Sequence, residues 1–339
     1  MPKTWRKITA LAVLMLLCFT SACQSRRKQK QGGVVVAYVT SWGQGLPDPT
    51  VMTHINYAFG KVTASHDGVS VDNPDRLRSI VALKRQNPQL KVLLSVGGWG
   101  AGGFSEMASQ EDTRRRFCEA CVRTVSEFGL DGIDIDWEYP CRSAAGIASS
   151  PQDREHFTLL MRDLRQALGN QFLLTLATAA MGKLYDFQAF VDEVDFVNMM
   201  TYDMAGIPGH HAPLYASERF PGGSCDQAMQ AHLSQGVPAG KLVLGLPFYG
   251  HGTQELGHVV NFHQIVQLKG YTSQWDSAAR VPFLTDAEGR VVLAYDDARS
   301  LRDKCRFARK HHLRGVMYWD YHGDDSLGTL QRTVWEAVH

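Results

Sequence analysis

Neither sign of charge dominates this sequence: 35 Lys and Arg stand against 34 Asp and Glu, a formal net charge of +1. That balance offers no electrostatic reason to bind nucleic acid or another acidic polymer. Long apolar runs are missing too. The one from Ile8 to Phe19 is shorter than the ~20 residues a membrane-spanning helix needs. No internal repeat or low-complexity tract is present, which removes solenoids and arrays. Cysteine is sparse: of seven, Cys18 and Cys23 fall in the N-terminal segment, and an odd set remains, Cys118, Cys121, Cys141, Cys225 and Cys305. At least one of these is unpaired within a monomer. Cys118 and Cys121 have CxxC spacing but sit in a helical run with no second pair, so they read as buried helix cysteines, neither a zinc site nor a redox motif.

What the chain does have is concentrated in Asp131-Gly132-Ile133-Asp134-Ile135-Asp136-Trp137-Glu138-Tyr139-Pro140. On a β-strand successive side chains face opposite ways, so Asp134, Asp136 and Glu138 share one face and Ile133, Ile135 and Trp137 the other. Two ionised neighbours about 6.6 Å apart repel by roughly 2.5 kcal/mol at an effective dielectric near 20. At least one of the three therefore holds a proton near neutral pH, and a poised carboxylic acid is what glycoside hydrolysis requires. A calcium loop would need a Gly turn and more oxygen ligands. A solvated edge would not carry Ile, Ile and Trp on its back.

Eight short apolar runs read as strands: 34–39, 54–59, 91–96, 132–137, 172–177, 194–200, 242–247 and 315–319. Helical patterns lie between most of them, at 75–86, 111–128, 153–168, 226–235, 298–311 and 326–338. Repeated strand–helix alternation predicts a closed (β/α)8 TIM barrel spanning 34–339. The long irregular connection around 250–295, between the seventh strand and its helix, contains strand-like pieces of its own and reads as a short α+β insertion. Cys141 and Cys225 fall on loops at the same end of such a barrel, where a disulfide stays open as an alternative.

The segment from Asp131 to Glu138 resembles the DGxDxDxE signature of the family 18 glycoside hydrolases, the chitinase family, in which catalysis is substrate-assisted. Further stretches match at strand ends, where a barrel enzyme carries its function. Ser95-Val96-Gly97-Gly98-Trp99 resembles the SxGG motif, with Gly100 following. Met200-Thr201-Tyr202-Asp203 resembles MxYD. Gly315 to Trp319 ends where the family has a Trp at the floor of the sugar site. Leu244 to Gly250 is also family-like and reads as structural. The family often carries an α+β insertion at the seventh strand, and here it looks shortened. His210-His211, on the loop after Asp203, reads as a loop pair without the spacing or neighbours of a metal site.

The resemblance implies a retaining glycosidase acting on β-1,4-linked N-acetylglucosamine polymers or oligomers such as chitin. Glu138 would be the acid and base, and Asp136 would orient the acetamido group and share a proton with Glu138. Asp134 would hold Asp136 from below, and Tyr202 would bond the acetamido oxygen. Gly97, Gly98, Trp99, Gly100, Tyr139, Met200, Thr201, Tyr202, Asp203, Trp319, Tyr38 and Phe59 would line the substrate site. No metal or organic cofactor is implied, and the expected state is a monomer. Two other readings stay open. A chitin-binding lectin of this fold usually lacks the terminal acid, which is present here. A same-fold hydrolase of N-glycan cores or peptidoglycan would keep the same acids.

At the N-terminus, Lys3, Arg6 and Lys7 precede the apolar run, and Thr20, Ser21 and Ala22 follow it, as in a secretory signal over 1–22. Cleavage after Ala22 would leave Cys23 first. That arrangement resembles a bacterial lipoprotein signal, although Thr20 stands where Leu is usual, and an ordinary signal-peptidase site predicts the same cut. The lipoprotein reading, with acylation at Cys23, is favoured. It makes 23–33 a polar tether and the protein an exported, membrane-anchored one.

Overall fold

A computed structural model describes residues 32–339; the expected signal segment, Cys23 and nearly all of the 23–33 tether lie outside the described residues. Among the described residues there are fourteen strands: β1 (Val34–Thr40), β2 (His54–Val62), β3 (Val69–Val71), β4 (Lys91–Gly97), β5 (Gly132–Asp136), β6 (Leu173–Ala179), β7 (Phe196–Met200), β8 (Leu242–Pro247), β9 (Tyr249–Gly252), β10 (Val260–Asn261), β11 (Thr272–Asp276), β12 (Val281–Thr285), β13 (Val291–Ala294) and β14 (Gly315–Trp319). The parallel order β1-β2-β4-β5-β6-β7-β8-β14 closes on itself because β1 pairs with both β2 and β14. This is the (β/α)8 barrel expected from the strand–helix alternation.

Strand parity sets the two layers of the core. On β1, Val35, Ala37 and Val39 pack outward against the helices. Val34, Val36 and Tyr38 point into the barrel with Phe196, Val243 and Met317. All seven residues of β1 are buried, as both faces of a parallel strand must be. The same parity operates on β5, where Ile133 and Ile135 join the outer layer, as does Trp137 just beyond the strand, stacked on Phe104 at 5.3 Å. Asp134 and Asp136 are thereby turned into the barrel. Asp131, just before β5, serves the framework instead. It accepts hydrogen bonds from Lys84 Nζ (2.7 Å), Lys91 Nζ (3.2 Å) and the Val92 amide (2.9 Å), pinning β5 to its neighbours at the barrel's other end.

The helices 111–128 and 153–168 form as expected. Helix 111–128 buries Phe117, Cys118, Cys121, Val125 and Phe128 on one stripe and stops at Gly129, whose φ of +66° lets its amide turn back to the Val125 carbonyl. The last helix begins at Thr329, later than the 326 expected. The carboxylates of Asp324 and Asp325 capture the amides of Thr329, Leu330 and Gln331 and fix the start there. Among the described residues the five cysteines are all free, so Cys141 and Cys225 form no disulfide. Cys225 is buried at the start of helix Cys225–Ser234, with Sγ against the Thr201 carbonyl.

The insertion after β8 is more ordered than the sequence implied. β9 to β13 form a five-stranded antiparallel sheet in the order β10-β9-β13-β12-β11. Where it meets helix Ala298–Lys310, the fully buried Lys304 pairs with Asp296 at 2.6 Å, and Ser300 bonds the other oxygen. No helix among the described residues is long and apolar enough to cross a membrane.

Candidate active site

Asp134 lies deepest in the barrel, without exposure, and its carboxylate is saturated. Oδ2 accepts from Tyr38 Oη (2.8 Å) and Ser95 Oγ (2.7 Å), and Oδ1 from Thr175 Oγ1 (2.6 Å) and Asn198 Nδ2 (3.2 Å). Burial raises its pKa, and these four donors pull it back. Asp136, one turn of the pleat above, is buried with Oδ1 unpartnered. Its pKa is raised well above the carboxylate range by burial, then by repulsion from Glu138 and Asp134. Asp134 makes no hydrogen bond to Asp136; its action on Asp136 is repulsion between the two carboxyls. Glu138, just past the strand end, is pushed up to about 7, chiefly by burial. The row therefore carries an ionisable carboxyl that keeps its proton at neutral pH.

Gly97 and Gly98 make room for this row. A β-carbon on Gly97 would run into the Asp136 carbonyl, and one on Gly98 into the Phe59 ring. Both adopt positive φ, and the Gly98 amide donates to the Asp136 carbonyl at 2.9 Å. Their contribution is this close approach, since Gly97, Gly98 and Gly100 do not line the cleft. Thr201 is a second correction. It is fully buried and its hydroxyl donates to the Gly245 carbonyl at 2.7 Å, holding β7 to β8, so it faces no ligand.

The cleft has a volume of about 1020 Å³, and Tyr38, Phe59, Trp99, Asp136, Glu138, Tyr139, Met200, Tyr202, Asp203 and Trp319 all line it. Trp319 forms part of the wall, stacked with Phe59 at 5.6 Å and tilted against Tyr38 at 5.8 Å. Trp99 stands 65% exposed at the rim beside Tyr139, and Trp42, 61% exposed, stands beside Phe59. Nothing in the sequence separates Trp42 from any other loop tryptophan; only the fold places it at the cleft. Among the described residues the Tyr202 hydroxyl has as hydrogen-bond acceptor the Met317 sulfur, a weak one at 3.9 Å, which leaves it able to donate into the cleft.

Asp203 gathers an unexpected group. Its Oδ1 accepts from Tyr249 Oη at 2.6 Å, lies 2.8 Å from His251 Nε2 and 3.6 Å from His211 Nδ1. Partial burial works against its ionisation, but His211, His251 and Tyr249 outweigh it and hold the pKa below the usual carboxylate range. Tyr249 is thus part of the site, not only of the framework. The His210-His211 pair does not act as one: His210 turns to Asp276 at 3.2 Å, and His211 stacks on His251 at 4.4 Å. His211 does have neighbours with ligating atoms, Asp203 on the same loop and His251 on β9. Strand alternation, which puts Tyr249 and His251 on one face, is the signal that could have found them.

An aromatic-walled groove at the C-terminal end of a (β/α)8 barrel, with a carboxyl of raised pKa above a buried acid pair, defines a glycoside hydrolase site. Residues 34–324 match the glycosyl hydrolases family 18 profile, and the chain belongs to that family. It is similar to chitinase A1 of Niallia circulans, at 30% identity over 88% of this chain, and spans 58% of that relative's length. Probable chitinase 2 of Drosophila melanogaster is also 30% identical, over 88% of this chain and 73% of the relative. Among solved structures, a family 18 N-acetylglucosaminidase from Paenibacillus barengoltzii superposes with a TM-score of 0.81 at 35% identity, covering 90% of this chain and 99% of that one.

Proposed function

We propose that this protein is a retaining glycosidase that hydrolyses β-1,4-linked N-acetylglucosamine polymers or oligomers by substrate-assisted catalysis. The observation that carries the reading is the row Asp134, Asp136, Glu138, its two inner acids buried and its outermost carboxyl lining the cleft with a pKa raised to about 7. In this reading Glu138 gives its proton to the glycosidic oxygen. The substrate's acetamido oxygen attacks the anomeric carbon, and the leaving sugar departs as the alcohol. The resulting oxazolinium ion is opened by a water from which Glu138 takes a proton, restoring the acid and the original anomeric configuration.

Asp136 would accept the acetamido N–H on its unpartnered Oδ1, orienting the group, and share a proton with Glu138. Tyr202 would donate to the acetamido oxygen, and Trp319 would offer an aromatic face to the sugar ring. Asp203 would accept from a sugar hydroxyl. Comparing hydrolysis of N-acetylated and fully deacetylated oligomers tests the mechanism. Only the acetylated series should be cleaved; comparable cleavage of a deacetylated oligomer would contradict the assignment.

We further propose export with a lipid on Cys23 and action as a monomer. The anchor reading rests on the basic residues, the apolar run and the small residues before Cys23.

A further inference from the structure

We infer that Asp203, His211 and His251 form a binding site for one divalent transition-metal ion of the zinc kind, opening on the cleft. One oxygen or nitrogen from each residue lies within 4.8 Å of the other two. From Asp203 Oδ1 the distances are 2.8 Å to His251 Nε2 and 3.6 Å to His211 Nδ1. Zinc holds such atoms at about 2.0–2.2 Å in a tetrahedron, which sets them roughly 3.3 Å apart, a value those two distances bracket.

A second, separate observation points the same way. The His211 side chain is 1% exposed, and neither of its ring nitrogens has a hydrogen-bond partner. A polar group buried without a partner is costly, and a coordinated ion would supply one. The carboxylate, by contrast, is 55% exposed on the cleft side, so three protein ligands would leave the remaining coordination position open to the groove. Two imidazoles and one carboxylate suit Zn²⁺, Ni²⁺ or Cu²⁺. They do not suit Mg²⁺ or Ca²⁺, which ask for more oxygen ligands.

Occupancy would withdraw Asp203 from any sugar and place a cation in the groove, so the ion acts as an inhibitor that competes with substrate. That consequence rests on the proposed glycosidase reading; binding itself does not.

The test is calorimetric titration of the chelator-washed protein with ZnCl₂ at neutral pH, repeated with MgCl₂. One saturable equivalent of Zn²⁺ is expected, with no comparable heat from Mg²⁺. His211→Gln and His251→Gln should each weaken binding at least tenfold, while His339→Gln, at an exposed ring outside the group, should leave it unchanged. Circular dichroism of each variant checks the fold. Hydrolysis of an N-acetylglucosamine oligomer by the washed protein is measured alongside, where added Zn²⁺ should raise the apparent KM with kcat held. Absence of a saturable Zn²⁺ signal, or binding undiminished in the His211→Gln/His251→Gln double variant, overturns the metal site. Failure of the washed protein to cleave any oligomer counts against the glycosidase reading alone.

Discussion

Gly97 and Asp136 approach so closely that no side chain fits between them: a β-carbon on Gly97 would occupy the space of the Asp136 carbonyl. The contact joins β4 to β5 at the level of the acid row, and the Gly97 φ of +126° is one that other residues rarely adopt.

Gly97→Ala should accordingly destabilise the barrel by at least about 2 kcal/mol, from the forced backbone shift and the unfavourable φ together. Activity should fall with it, since Asp136 would move. Chemical denaturation measures the first effect. An unchanged midpoint would show that the strands separate at little cost.

Glu138 sets the pH behaviour. Its ordinary value is 4.5 and the folded protein raises it to about 7, so the acid form persists to neutral pH. Turnover should be full below that value and fall as pH rises through it. Glu138→Gln should reduce kcat by on the order of a hundredfold or more while oligomer binding survives. The raised pKa also means that the folded state binds more protons than the unfolded one between about 4.5 and 7. The contribution of Glu138 to stability must then decline as pH rises across that window. Urea midpoints at both ends of the window, for the parent and Glu138→Gln, should show a smaller decline in the variant.

Tyr202→Phe removes a hydroxyl whose hydrogen-bond acceptor among the described residues is the weakly accepting Met317 sulfur. Stability should be nearly unaffected, while kcat on acetylated oligomers drops by on the order of a hundredfold through loss of a donor to the acetamido oxygen. A variant with full kcat would remove Tyr202 from the mechanism.

Acylation of Cys23 should place the mature protein in the membrane fraction, with an N-terminal peptide carrying the added lipid mass. Cys23→Ala should abolish that mass. An unmodified Cys23 on soluble, secreted protein would leave the export signal standing and remove the anchor.

The barrel and the acid row are legible in the sequence because both depend on short periods. β5 alternates strictly, and Ile133, Asp134, Ile135 and Asp136 fall on the faces that a period of two assigns. Motif membership is a poorer guide to contact. Thr201 sits between Met200 and Tyr202, both of which line the cleft, yet it points the other way by the same alternation and bonds Gly245. The group around Asp203 is legible only in part: alternation puts Tyr249 and His251 on one face of a strand but does not set that face against Asp203. Tyr249 and His251 come from a strand 46 or more residues further along the chain, and only the closed barrel brings them to the MxYD loop.

β9 begins two residues after β8 and lies in the insertion's antiparallel sheet, yet its first and third residues, Tyr249 and His251, reach Asp203. The insertion is therefore not a detachable module. Its length can vary at the outer margin, in the exposed turn between β12 and β13, because nothing there touches the acid row; β11 is held, since its Asp276 pairs with His210 at 3.2 Å and accepts from Ser217 Oγ at 2.8 Å. Shortening from the inner margin would remove two partners of Asp203 along with the sheet. Descendants or designs of this chain that trim the groove wall are thus constrained to do so from the outside inward.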